Sequence, residues 1–355
     1  MTKPNEKSLS INKGDGQNDS VNPNYRSRKS SLLSKSDYVD GIKRGDRTIL
    51  SRAITLVESS KNDQRQLGQE ILEELIHLTG NSIRIGITGV PGVGKSTFIE
   101  ALGKHLLEKK KKIAVLTVDP TSTRSKGSIL GDKTRMATLS ASDDVYIRPS
   151  PTSGNLGGVA RTSRETMMLC EAAGFDTILI ETVGVGQSET SVHNMVDFFL
   201  LLMLAGAGDE LQGIKRGIME MADMIAVNKA EEENIDAANR AKQEYRNALS
   251  LFPPTPSKWE PKVLTCSALD GTGIPEVWEQ IEEYFSVTKD SGYFHNRREK
   301  QSTYWMYEAI TRELKNQFFG KKEIREALPD FEDRVRKGKI SSFRAAEMLM
   351  EKFNS

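Results

Sequence analysis

The sequence predicts an α/β fold: a doubly wound, mainly parallel sheet carrying a phosphate-binding loop, with helices before it and a helical arm after it. Three observations predict this. Short apolar or β-branched runs alternate with helical patterns through the middle of the chain. Gly89–Ser96 (GVPGVGKS) fits G-x-x-x-x-G-K-[ST], with an apolar run before it and an amphipathic stretch after it. Asp119, Glu181 and Asn228 each stand at the end of an apolar run, and the carboxyl ends of strands are where such sheets bind ligands.

The elements follow in order. Residues 1–36 are rich in Ser, Asn, Lys and Asp and are expected to be a disordered tail. No apolar core follows the first charges, which counts against a secretory signal. Glu6, Asp15, Asp19 and the lack of an amphipathic pattern count against mitochondrial targeting, so the expected compartment is the cytoplasm. Residues 37–80 form a helical segment. Tyr38–Ser60 has helical spacing with a break at Gly45-Asp46, and a second helix covers Lys61–Leu78.

Residues 81–287 are expected to form the nucleotide-binding domain. Ser82–Thr88 (SIRIGIT) reads as a buried strand and Thr97–Lys110 as a helix. Further strands are expected at Lys112–Val118, Phe175–Ile180, Phe198–Leu204, Met221–Val227 and Val263–Cys266. The longest apolar run, Phe198–Ala207, is too short to span a bilayer and fits a central strand buried on both faces. After Trp278 the chain turns helical. Residues 288–355 contain the charged amphipathic segments Tyr304–Phe318, Lys321–Arg336 and Ser341–Phe353, a candidate dimerisation arm.

Composition narrows the function. The 355 residues carry 50 Lys+Arg and 49 Asp+Glu, a net charge of +1. Such balance gives no sign of a nucleic-acid-binding surface or an acidic partner, and no membrane partner is expected. Cys170 and Cys266 lie far apart and form no C-x-x-C, so no disulfide framework or cysteine metal site is expected. His77, His105, His193 and His295 are scattered, which disfavours a metal-inserting chaperone.

The loop Gly89, Val90, Pro91, Gly92, Val93, Gly94, Lys95, Ser96 and Thr97 supplies the chemistry of a nucleoside triphosphate site. Loop amides and a helix N-terminus favour phosphate oxygens. Lys95 can reach the β- and γ-phosphates, and the Ser96 hydroxyl can ligate Mg²⁺. Mg²⁺ also needs hard carboxylate oxygens, and three candidates stand open: Glu181, Asp119 and Asp132. In Glu181–Gln187 (ETVGVGQ), the Gly184 amide could sense the γ-phosphate and Gln187 could orient an attacking water. Arg124 and Arg135 are candidate sources of further positive charge.

Asn228-Lys229-Ala230-Glu231 is close to the guanine-selecting pattern N-K-x-D, with glutamate in place of aspartate. A carboxylate there accepts from N1–H and the exocyclic amine of guanine. Adenine, an acceptor at N1, leaves it partly unpaired, so the pattern favours guanine. Ser267, Ala268 and Leu269 would bring backbone N–H groups near the guanine O6.

Long blocks extend these short motifs: GITGVPGVGKSTFIEALG, VDPTSTRSKGSILGDKTRM, IRPSPTSGNLGGVARTSRE, ETVGVGQSE, AGAGDELQGIKRGIMEMAD and CSALDGTGI. Through them the chain resembles the MeaB/ArgK family of GTPases from about Tyr38 to the C-terminus. The resemblance implies a P-loop fold of the SIMIBI class and a homodimer assembled partly through the C-terminal helices. It implies GTP/GDP and Mg²⁺ as ligands, with Ser96, Asp119, Asp132 and Glu181 around the metal. Asn228, Lys229, Glu231 and Ser267–Leu269 would hold the base. Lys95, Glu181 and Gln187 would serve hydrolysis, and Ser188 to about Asp197 would be a mobile segment that signals nucleotide state. The implied function is a GTP-hydrolysing chaperone that gates adenosylcobalamin delivery to methylmalonyl-CoA mutase or a related mutase, and protects it. The departure from the pattern is Glu231. A P-loop kinase linked to amino-acid transport and a metal-inserting GTPase are the alternatives.

Overall fold

The computed structural model describes residues 32–118, 136–149, 156–182, 188–206 and 216–354. The expected tail at residues 1–36 therefore lies almost entirely outside the described residues. Lys35–Ser355 forms one compact unit.

Seven parallel strands make one sheet: β1 (Ile83–Gly89), β2 (Ile113–Val118), β3 (Val145–Arg148), β4 (Thr177–Thr182), β5 (Phe198–Leu204), β6 (Met224–Asn228) and β7 (Lys262–Thr265). Their spatial order is β3-β2-β4-β1-β5-β6-β7, with every pairing parallel. This is the doubly wound α/β fold expected from the sequence. Phe198–Leu204 is indeed a central strand, between β1 and β6. Its near-continuous apolar run follows from having both faces covered.

The sequence reading missed β3. Val145–Arg148 is four residues long and pairs only with β2 at the sheet edge, so its apolar run is too short to stand out. Helix α1 (Lys35–Lys43) and α2 (Arg47–Glu58) break at Gly45-Asp46 as expected. Asp46 caps α2, its carboxylate accepting from the amides of Thr48 (2.8 Å) and Ile49 (3.1 Å). Helix α3 (Asn62–Leu75) ends in a 3₁₀ turn at Ile76–Leu78.

Between the strands lie α4 (Lys95–Glu108), α5 (Ala137–Ser140), α6 (Leu156–Ala172), α7 (Ser188–His193), α8 (Arg216–Met221) and α9 (Ile235–Leu249). Beyond β7 come α10 (Ile274–Asp290), α11 (Tyr293–Gly320), α12 (Lys322–Arg336) and α13 (Ser342–Asn354). Helix α10 begins before Trp278 because Gly273 and Pro275 start it, and it buries Trp278, Ile281 and Tyr284. Helix α11 begins eleven residues before Tyr304, and those residues pin it to the sheet.

That junction is polar and buried. Arg298 donates to both carboxylate oxygens of Asp197, at 2.8 and 2.6 Å, and to the carbonyls of Ser82 (2.6 Å) and Gly80. Its guanidinium also lies 4.3 Å from the Phe294 ring centroid. Arg297 pairs with Asp223 at 3.5 Å and donates to the Tyr284 hydroxyl at 3.1 Å. Arg84, near the start of β1, makes a bidentate pair with Glu171 at 2.8 and 2.9 Å. Arg84, Asp197 and Asp223 sit at the amino ends of β1, β5 and β6. No helix among the described residues is long and apolar enough to cross a membrane.

Candidate functional site

The loop Gly89–Gly94 joins the carboxyl end of β1 to α4. Gly89 has φ +155°, and a Cβ there would lie 2.4 Å from the Leu202 carbonyl oxygen of the adjacent β5. No other residue fits without moving the strand. Val90 and Val93 point into the core, while Pro91 and Gly92 stay exposed, so the loop is anchored from below. Gly94 is the N-cap of α4 and brings no side chain to its first-turn amides. Those amides are the kind of donors that anions occupy.

Lys95 lies across its own loop. Its Nζ donates to the carbonyls of Gly89 (2.8 Å) and Val90 (3.3 Å). Burial lowers its pKa, and the carboxylates of Glu181 and Glu189 act in the opposite direction. Ser96 Oγ donates to Glu181 Oε1 at 3.2 Å. Glu181 is the penultimate residue of β4, in register with Ile87 of β1 and Thr117 of β2. It is 5% exposed. One residue on, the Thr182 hydroxyl donates to Thr88 at 2.8 Å and ties the ends of β4 and β1 together. The strands thus bring a hydroxyl, a carboxylate and an ammonium to one spot. Ser96 and Glu181 are hard oxygen donors at mutual hydrogen-bond distance, a set that suits Mg²⁺.

Glu189, buried at the first turn of α7, was not singled out from the sequence. Its only signal is the acidic residue two positions after Gln187. Val192 of helix α7 and Met195, Val196 and Asp197 in the turn after it are all buried. His193 at its end accepts from Arg297 Nη2 at 3.2 Å, the imidazole acting as acceptor. Burial, with Arg297 beside it, pushes the His193 pKa down to about 4, consistent with a neutral ring.

Asn228, the last residue of β6, is 1% exposed. Its Nδ2 donates to the Val93 carbonyl (2.8 Å), and its Oδ1 accepts from the Ala268 amide (3.0 Å). One side chain therefore bridges the phosphate loop and the loop after β7. The Cys266 thiol sits 3.7 Å from the same Oδ1, and burial pushes its pKa up to about 12, which keeps it protonated. The Ser267 hydroxyl donates to the Glu231 carboxylate, which fixes that side chain beside the same loop. The Ser267 amide donates to the Thr272 carbonyl at 2.8 Å, so the amides of both Ser267 and Ala268 already help build this loop. The Leu269 side chain is 80% exposed. Lys229 is exposed and takes φ +60°, its carbonyl accepting from Asn234 Nδ2 at 2.5 Å.

The structure thus brings Gly89–Thr97 and Glu181 together at one strand-end cluster, and Asn228 links this cluster to Glu231 and Ser267–Leu269. Asp119, Asp132, Gln187, Gly184, Arg124 and Arg135 lie outside the described residues. Cys170 and Cys266 are buried free thiols. No group of three or more His, Cys, Asp or Glu among the described residues could hold a metal ion.

Comparison with known proteins gives a consistent result. The family model described as Methylmalonyl Co-A mutase-associated GTPase MeaB matches residues 50–323. A probable GTPase of Mycobacterium tuberculosis is 50% identical over 319 residues, covering 89% of this chain and 95% of its own. The mitochondrial methylmalonic aciduria type A homolog of Mus musculus is 46% identical over 325 residues, covering 89% of this chain and 78% of its own. Among solved structures, the LAO/AO transport system kinase superposes with a TM-score of 0.72 at 34% identity. That match covers 92% of this chain and 100% of the other.

Proposed function

The chain belongs to the MeaB family of GTPases, and on that premise we propose that it is a GTP-hydrolysing chaperone of an adenosylcobalamin-dependent mutase, methylmalonyl-CoA mutase or a relative. One observation carries the nucleotide part: Asn228 joins the carbonyl of Val93 to the amide of Ala268, so phosphate loop and base loop are held as one unit. In this reading Gly89–Thr97 bind the phosphates, and Lys95 neutralises charge developing on the β- and γ-oxygens. Ser96 and Glu181 hold Mg²⁺, with Asp119 and Asp132 as further candidates. When bound, the ion supplies charge neutralisation at the phosphates. Gln187 orients the attacking water. Glu231, held by Ser267, faces the guanine N1 and amine in this reading.

The mutase assignment rests on the family. Its test is turnover of GTP and ATP by the full-length protein, with and without methylmalonyl-CoA mutase. GTP turnover should rise with the mutase while ATP is used poorly. Equal use of ATP, or a mutase that changes neither turnover nor cofactor loading, would overturn the reading. The likeness to the LAO/AO transport system kinase motivates one further arm. Label from γ-phosphate should appear in inorganic phosphate, and its appearance on a protein or small molecule would favour the kinase reading instead.

We further propose a homodimer through the arm. Tyr307, Ile310 and Leu314 of α11 are 62%, 47% and 60% exposed at i, i+3, i+7 spacing, which sets them along one face of the helix. Light scattering should give twice the 39.5 kDa chain mass, and Leu314→Lys should shift it to the monomer. A monomeric wild-type protein at tens of micromolar would refute the dimer.

A further inference from the structure

Helix α7 is six residues long, and the turn after it, residues 194–197, lies between β1 and α11. On the sheet side, Val192 and Val196 sit directly on the backbone of β1. A Cβ at Gly86 would lie 3.0 Å from Val192 Cγ1 and 3.1 Å from Val196 Cγ2. Asp197 is tied to the same strand twice. Its amide donates to the Arg84 carbonyl and its Oδ2 accepts from the Arg84 amide, both at 2.9 Å. Beyond Gly86, β1 runs on to Gly89, where the phosphate loop begins. The other end of α7 belongs to the phosphate site. The Glu189 carboxylate is buried in its first turn, and its charge favours the Lys95 ammonium.

On the arm side, one face of α11 grips the same short stretch. Arg297, Gln301 and Trp305 stand at i, i+4 and i+8, one above another along the helix. Arg297 Nη2 reaches His193 Nε2 at 3.2 Å. Gln301 Nε2 donates to the Val196 carbonyl at 2.7 Å, and Trp305 Nε1 to the Asn194 carbonyl at 3.0 Å. Arg298, beside them, holds the Asp197 carboxylate. Two of these bonds fall on backbone carbonyls, so α11 registers the path of the chain here as well as its side chains. The grip is not saturated. Gln301 is 7% exposed, and among the described residues its Oε1 meets no donor. A buried acceptor without a partner is destabilising, so a shifted turn that supplied a donor would gain that bond.

We propose that residues 193–197 couple the nucleotide site to the arm, so that the seating of α11 on the sheet differs between the GDP-bound and GTP-bound protein. This rests on the GTPase reading above and adds the element that receives the signal. A helix this short moves as one piece. A displacement of its first turn at the phosphate site therefore reaches His193 and the carbonyls of Asn194 and Val196. Packed junctions exchange one discrete arrangement for another, which turns a small shift at one end into a change of partners at the other.

Two measurements on the full-length protein test this. Amide hydrogen exchange over residues 293–305 should differ by at least about five-fold between saturating GDP and saturating β,γ-imido-GTP, both with Mg²⁺. Coupling between sites is reciprocal, so weakening the grip must also change nucleotide preference. Calorimetry should show the ratio of the two Kd values shifted by about five-fold in Gln301→Leu combined with Trp305→Phe, the lower end of typical couplings. A merely structural role would lower the melting temperature and leave that ratio unchanged. An unchanged ratio in a folded double variant that binds both nucleotides would overturn the coupling and leave the GTPase reading standing. Equal exchange in the two nucleotides would do the same, and it decides the matter if the double variant does not fold. A wild-type protein that binds neither nucleotide would overturn both readings.

Discussion

Lys95→Ala is expected to lower GTP turnover by about 10²–10³-fold, the scale seen when one preorganised charge-stabilising donor is removed from an active site. The side chain touches two carbonyls of its own loop, Gly89 and Val90, and packs no core. Thermal stability should therefore change little, which separates loss of chemistry from loss of fold. The geometry also predicts how the loss divides. An ammonium spanning the loop meets both bound phosphate and the charge that develops during transfer. Affinity for GDP should fall less than turnover of GTP, because GDP lacks the γ-phosphate. Ser96→Ala removes the hydroxyl hydrogen-bonded to Glu181 at 3.2 Å, and its defect should respond to Mg²⁺ concentration where that of Lys95→Ala does not. Measured kcat for Lys95→Ala within three-fold of wild type would refute the role given to this residue.

Much of this arrangement was legible because the physics is local. Buried parallel strands must be apolar throughout, so Ile83–Gly89 and Phe198–Leu204 announce themselves. The glycine at position 89 is demanded by the Leu202 carbonyl, and the G-x-x-x-x-G-K-S spacing carries that demand in the sequence. What was not legible depends on distant partners. Tyr293–Thr303 precedes the amphipathic segments that stand out in the sequence, and nothing in its pattern marks Arg297, Arg298 or Gln301. In the fold these three reach Asp223, Asp197 and the Val196 carbonyl and hold the arm against the sheet. No periodicity encodes pairing between segments so far apart in the chain. Glu189 was missed for the same reason. Its link to Lys95 exists only once α7 is folded against the strand ends. The bridge through Asn228 was half visible: the motif gives the residue, but its bonds to Val93 and Ala268 join two other, separate segments.

The junction of arm and sheet carries the largest expected stability effect. Asp197 has only 2% of its side chain exposed and takes both its charge partner bonds from Arg298. It keeps one further donor, the Arg84 amide at 2.9 Å. Arg298→Ala removes the fork, two bonds to the Gly80 and Ser82 carbonyls and the stacking on Phe294, and leaves a carboxylate buried without its cation. Breaking a buried pair in this way typically costs about 3–5 kcal/mol. At roughly 2 °C per kcal/mol for a large domain, the melting temperature should drop by roughly 6–10 °C. Arg298→Lys supplies charge without the planar fork and should recover only part. The informative comparison is Asp197→Asn combined with Arg298→Met. That double variant removes both charges together and should be more stable than Arg298→Ala alone, because the penalty comes from the orphaned carboxylate more than from the lost attraction. The arm should also loosen: limited proteolysis of Arg298→Ala is expected to cut within α11 before the sheet unfolds. A melting temperature within 1 °C of wild type would show that this buried network is not what holds the arm to the sheet.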